Sequence, residues 1–240
     1  MRFIFEPALQ HKGEIFEICS KLYGEHYYLP ILAATTAAFE LGVSIGEIQQ
    51  KVSGFNSLFG RCSLHSVSGG PQFILDTAKA PYETLGLAFD VICATPNVRK
   101  WIVLGQISDY RGNPRTKYRT AYKMASIVAD RIVFVGEHSH RSGAKDSDLE
   151  DGRFRNFPTF LGALKYIQTN AAEGDLILIK GSQGMHLERI ALSFDHDVQC
   201  LEEKCGYDFD CMRCGLFGSP FSEHTHLKNR RLKNIDLQKP

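Results

Sequence analysis

Nowhere do the 240 residues run to the roughly 20 consecutive apolar positions that a bilayer-spanning helix needs, and no membrane is expected as a partner. A surplus of one charge sign is missing as well. With 28 Lys and Arg against 27 Asp and Glu, no net field would hold the chain on a polyanion, so nucleic acid is not an expected partner either. The first ten residues, MRFIFEPALQ, lack the long apolar region of a secretory leader, which makes cytoplasm the expected compartment. Internal repeats and low-complexity tracts are absent. What is present is 43% hydrophobic against 23% charged residues, a balance that excludes disorder and allows one large domain or one and a half.

Cysteine is sparse until residue 200 and then crowded. Cys19, Cys62 and Cys93 stand alone, whereas Cys200, Cys205, Cys211 and Cys214 follow in the spacing C-x4-C-x5-C-x2-C. In a chain expected in the cytoplasm, tightly spaced thiols point to a metal before disulfides, and the final CMRC pair can present two thiolates to one tetrahedral ion. Zinc is preferred over an iron–sulfur cluster, free or redox-active thiols remain the alternative, and His196, His224 or His226 could replace one cysteine.

Strand-like runs at residues 2–7 and 14–19, separated by a turn around His11–Gly13, predict a hairpin. An Ala-rich helix over 29–41 stops at Gly42, and Ser44 with Glu47 forms a capping box that starts a second helix through Lys51. From Gln72 the pattern becomes regular. Strands at 73–75, 101–104, 131–135 and 176–179 alternate with helices at 81–94, 115–129, 158–170 and 184–193. This predicts an α/β fold with a mostly parallel, Rossmann-like sheet covered on both faces, preceded by a partial α/β segment and followed by a small Cys-rich metal knuckle. The expected divisions are 1–58, 59–194 and 195–240, and the basic end HTHLKNRRLKN reads as a solvated tail. Ligands of such sheets sit at the carboxyl ends of the strands, so the loops beginning at Asp76, Gly105, Gly136 and Lys180 should share a functional rim.

Several rim segments carry a resemblance. FGR at 59–61, DTAKAP at 76–81, WIVLG at 101–105, ADRIVFVGE at 129–137 and IKGSQGMHLERI at 179–190 together resemble, in this order, the carboxyl-terminal region of the Mur ligases, over roughly residues 1–194. These cytoplasmic enzymes use ATP to join an amino acid or dipeptide to a growing cell-wall precursor. The KGSQGM loop is most similar to the member that adds D-alanyl-D-alanine, while DTAKAP is closer to the amino-acid-adding members and to folylpolyglutamate synthases. The resemblance implies nucleotide-binding roles for Arg61 on the phosphates, Asp76 on the ribose hydroxyls, Lys79 where the family holds His or Asn, and His26. It implies that Lys180 and Ser182 receive the amine substrate or its carboxylate. The plainer alternatives are a linker arginine for Arg61, a helix-capping aspartate for Asp76 and an ordinary tight turn around Gly181.

The chain departs from the family in one large respect. No Gly-x-x-x-x-Gly-Lys-Ser/Thr occurs, so the loop that would cradle ATP phosphates and hold magnesium is missing, and residue 1 is expected to fall within the central ATPase domain. The family's two adenine-reading asparagines are replaced by Tyr27 and Pro30. The expectation is an ATP- and magnesium-dependent amide ligase module, acting on a small amino-acid or peptide substrate and completed by a P-loop-bearing subunit. The alternatives are a degenerate binding or scaffold protein with a structural zinc, and a fragment of a longer reading frame.

Overall fold

The computed structural model describes residues 8–11, 14–96 and 98–228, so the runs at 2–7 and 229–240 lie outside the described residues. The expected hairpin is present among the described residues, with β1 (Ala8–His11) antiparallel to β2 (Glu14–Glu17). Helix α1 (Tyr28–Glu40) follows, and the capping box forms as expected at the start of α2 (Ile45–Ser53). There Glu47 N–H donates to Ser44 Oγ while the Glu47 carboxylate accepts from Ser44 N–H. Ile18, Ile31, Ile48 and Val52 give this segment a small core of its own. Leu29, Leu41, Phe55 and Leu58 nevertheless remain exposed along it.

The remaining strands are β3 (Ser63–Ser66), β4 (Gln72–Asp76), β5 (Lys100–Leu104), β6 (Arg131–Val135), β7 (Phe154–Phe157) and β8 (Leu176–Lys180). They form one six-stranded sheet in the order β3-β4-β8-β5-β6-β7. Every pairing is parallel except that of β3 with β4. Alternation along the strands divides the core into two layers. Ile74, Ile102, Phe134 and Leu178 face α3 (Leu85–Cys93) and α4 (Pro114–Val128). Phe73, Trp101, Val133 and Ile177 face the opposite layer, where α6 (Phe160–Asn170) and α7 (Glu188–Leu192) pack. Between β6 and β7 lies the short α5 (Asp146–Glu150), whose Asp148 accepts from the Tyr122 hydroxyl.

The expected α/β class and two-faced sheet are therefore present. The two edge strands, β3 and β7, are the ones the sequence pattern does not announce. Their sequences, SLHS and FRNF, are half polar or more because an edge strand keeps part of its surface in water. The register places Asp76 opposite Lys180, and Leu104 opposite both Lys180 and Phe134. The carboxyl ends of β4, β8, β5 and β6 thus meet along one rim. The sequence after Phe194 folds back over α7 and contains α8 (Cys211–Cys214). The start of the basic end is not a solvated tail. Residues 224–228 are helical and His224 is only 3% exposed.

Candidate functional site

Among the described residues two cavities open along the rim at the strand ends, and a further one lies beyond the turn after β8. At the end of β4, Ala78 N–H donates to Gly60 O (3.1 Å) and Gly60 N–H to Ser63 Oγ (3.0 Å), which ties the FGR turn beside the strand. Arg61 is thereby held at the mouth of a cavity of about 280 Å3, whose wall also includes Asp76, Lys79, Lys180, His26 and Tyr27. The Lys180 ammonium donates to Asp76 Oδ2 and to the Lys79 carbonyl (3.1 Å), both ends being nearly buried. Arg61 and Lys79 remain exposed. The arrangement offers two cations to an anion and one carboxylate to hydroxyl donors.

His26 enters this cavity from the turn before α1. Gly24 has φ +115, and a Cβ there would stand 2.5 Å from His26 Cε1, so only glycine lets the imidazole fold back against the chain. The ring stacks on Tyr27 at 4.4 Å between centroids. Burial lowers the His26 pKa, with Asp76 working against that and Lys180 adding to it. The Tyr27 hydroxyl donates to the Arg61 carbonyl at 3.3 Å. Beneath them Cys62 sits in the left-handed region at φ 49, its thiol pushed up to about 12 by burial and by the Asp76 charge. Pro30 lies exposed and is not part of the wall.

Ser182 stands apart from this group. Its N–H donates to Gln106 O and its carbonyl accepts from Met185 N–H, both at 3.1 Å, which fixes the turn between β8 and α7. Lys180, expected beside Ser182, is instead turned toward Asp76 in the first cavity. A second cavity of about 330 Å3 opens on the other side of the turn, lined by Gln106, Gly136, Glu137, His138, Met185 and Glu203. Met185 Sδ accepts from Gln106 N–H at 2.8 Å, and a Cβ on Gly105 would meet that sulfur at 2.7 Å. Sequence reasoning did not single out Glu137 or Glu203. Glu137 closes the quoted ADRIVFVGE segment, so strand-end position was the available signal. Glu203 lies 43 positions from its partner Phe160, whose N–H it accepts at 2.8 Å, and no local pattern marks it.

The third cavity lies under the Cys-rich segment. Cys200, Cys205, Cys211 and Cys214 all line it, with His186, Arg189 and His224. Cys200 and Cys211 are buried and the other two half-buried. Among the described residues, the three donor side chains whose ligand atoms converge within 4.8 Å of one another are His186, Glu188 and Cys211, so only one of the four thiols belongs to that convergent group. Burial, reinforced by the Glu188 charge, raises the Cys211 pKa. His196 pairs with Asp195 elsewhere, and His226 is exposed. Arg189 anchors the segment on α7 by donating to the carbonyls of Cys200 (2.6 Å) and Glu202 (2.7 Å).

No protein-family profile matches the chain. Among curated proteins it is 27% identical over 158 residues to the UDP-N-acetylmuramoyl-L-alanyl-D-glutamate–2,6-diaminopimelate ligase of Alkalilimnicola ehrlichii, covering 63% of this chain and 31% of that one. It is 28% identical over 174 residues to the UDP-N-acetylmuramoyl-tripeptide–D-alanyl-D-alanine ligase of Treponema pallidum, covering 70% and 37%. The chain thus spans about a third of the length of the curated relatives it matches. Among solved structures, MurF from Acinetobacter baumannii superposes with a TM-score of 0.69 at 23% identity, over 80% of this chain and 42% of that one. MurF from Thermotoga maritima in complex with ADP gives 0.67 at 15%, over 80% and 43%. The sequence relatives found are Mur ligases, and the sheet has the fold of their C-terminal domain.

Proposed function

We propose that the chain is the closing module of an ATP-dependent carboxylate–amine ligase of cell-wall precursor type, completed by a phosphate-loop domain on a second polypeptide or upstream in a longer one. The observation that carries this reading is the gathering of Arg61, Asp76, Lys79, Lys180 and His26 around one cavity, although they come from four separate stretches of sequence. Those residues fit the ribose and phosphate end of a nucleotide. Lys180 engages one oxygen of Asp76 and leaves the carboxylate able to accept from a hydroxyl, while Arg61 and Lys79 face outward as phosphate ligands. They do not fit magnesium, because the wall has a single carboxylate and that one is already paired with a lysine.

Bound ATP would supply the phosphoryl group that activates a carboxylate for attack by an amine. This chain's share is to position and to neutralise charge. The cavity's 280 Å3 falls just below the roughly 300–1,000 Å3 usual for a whole ligand, as expected of half a nucleotide site. The exposed Leu29, Leu41, Phe55 and Leu58 leave apolar surface on this segment against which the completing domain would pack. The second cavity, with Glu137 and Glu203 as counter-charges, suits the incoming amine, and Ser182 fixes the turn between the two cavities. The Cys-rich segment enters this reading as a structural element closed by zinc, supported by four cysteines on one cavity wall.

A second reading, a degenerate binding protein that keeps the fold, is favoured by Tyr27, whose phenol occupies the wall where an amide would read adenine. The two readings separate in a single assay. Chain alone with magnesium and ATP is expected to release no ADP above blank, and co-expression with a phosphate-loop domain of the Mur ligase type is expected to give release that Asp76→Ala abolishes. ADP release by the chain alone refutes the need for a completing domain. Failure of every such domain to confer ADP release refutes the ligase reading.

A further inference from the structure

We propose that the third cavity is a four-coordinate zinc site in which His186 Nε2 binds the metal with three of the four thiols, Cys211 among them, and in which Glu188 is a positioning residue rather than a ligand. The site then joins the Cys-rich segment to the turn after β8, instead of closing a four-cysteine knuckle within that segment. This rests only on the metal part of the function proposed above and on none of its nucleotide chemistry.

Four observations carry it. First, His186 is 2% exposed and its Nε2 has no hydrogen-bond partner, an arrangement costly for a buried polar atom unless something else engages it. The ring lines the cavity that all four thiols share. Second, His186 Nδ1 lies 3.2 Å from Glu188 Oε1, the same oxygen that accepts Cys211 N–H at 3.0 Å. A carboxylate that takes the proton on one imidazole nitrogen fixes the tautomer and leaves the other nitrogen's lone pair for a metal. One carboxylate oxygen therefore orients two of the donors, one from each part of the chain. Glu188 itself is absent from the cavity wall.

Third, the space is the size of an ion. It amounts to about 10 Å3, room for one water-sized sphere, which excludes an organic ligand. The wall supplies sulfur and nitrogen, the donor types that zinc takes in closed sites. Fourth, Arg189 stands 3.7 Å from Cys200 Sγ, with its other donors committed to backbone carbonyls, so a fixed cation offsets the net negative charge of three thiolates on one dication. His224, 3% exposed with an unpartnered Nδ1, also lines the cavity. Its Nε2 lies within hydrogen-bonding distance of the Ser219 carbonyl (3.1 Å), which by the same logic leaves Nδ1 able to bind a metal, so an absorption shell of two sulfurs and two nitrogens, with His224 in place of a thiol, would overturn the three-thiol assignment.

The test uses the full chain, purified under reductant and reconstituted with zinc alone. One zinc per chain is expected, with an X-ray absorption shell of three sulfurs and one nitrogen. His186→Gln is expected to weaken zinc at least tenfold in competition with a chromophoric chelator. Glu188→Gln should retain one metal per chain but weaken it, and should shift the ligand-field bands of the cobalt-substituted protein, a change that loss of packing alone would not produce. A shell of four sulfurs, or clearly less than one equivalent of zinc after reconstitution, overturns the proposal. The absorption shell is measured on the unaltered protein, so the proposal can be overturned even where a variant fails to fold. No nucleotide is present, so neither result bears on the ligase reading.

Discussion

Replacing Lys180 with Met removes the ammonium from a place where water cannot substitute for it. The side chain is 3% exposed, and its Nζ bridges Asp76 and the Lys79 carbonyl across the ends of β8 and β4. Breaking a buried ion pair from one side costs about 3–5 kcal/mol, because the remaining charge stays buried without its counter-ion. Asp76 is 12% exposed at the cavity wall, so solvent relieves part of that, and a loss of about 2–4 kcal/mol is expected. In a chain of this length that corresponds to a fall in Tm of roughly 5–15 °C. Removing both charges in Lys180→Met with Asp76→Asn is expected to cost less than the sum of the single changes by about 1–3 kcal/mol. The assay is urea unfolding followed by fluorescence of Trp101, the chain's single tryptophan, which is fully buried on β5. A Lys180→Met variant within about 0.5 kcal/mol of the parent would refute the claim that this pair organises the strand ends.

Two further outcomes follow from perturbed groups. The His26 pKa is lowered chiefly by burial, so the unfolded chain binds a proton there more readily than the folded one. Its contribution to stability is complete above about pH 6.5 and is lost as pH falls toward the lowered value, a slope that His26→Gln should flatten in urea midpoints measured between pH 7.5 and 5.5. Cys62, buried with its thiol pushed up to about 12, should resist a disulfide reagent in the native protein at pH 8, while the exposed Cys93 reacts at once. Native labelling of Cys62 at the rate of Cys93 would mean that the floor of the first cavity is open to solvent.

The central strands were legible because parallel strands buried on both faces must be apolar throughout. Residues 131–135 read as a strand from RIVFV alone, and the fold has β6 at those positions. The capping box at Ser44 was equally plain, since its chemistry is local. The edges were not. SLHS and FRNF become strands only because β4 and β6 offer them unpaired backbone, a tertiary fact with little sequence signature. The same division runs through the site. Arg61, Asp76 and Lys79 were singled out by the resemblance of their short motifs to the Mur ligases, and they do line one cavity. Lys180 was read with its neighbour Ser182, yet the side chain turns to the other strand end.

By itself the sequence determined the continuously apolar core strands, the helix caps, the shared rim and the crowding of thiols near the carboxyl end, because each depends on residues close together in the chain. Tertiary structure alone decided that Lys180 pairs with Asp76, 104 positions away, and that His186 and Glu188 face Cys211. Which side chain meets which across a sheet is settled by strand order and by where a returning segment packs. Neither is encoded in local spacing.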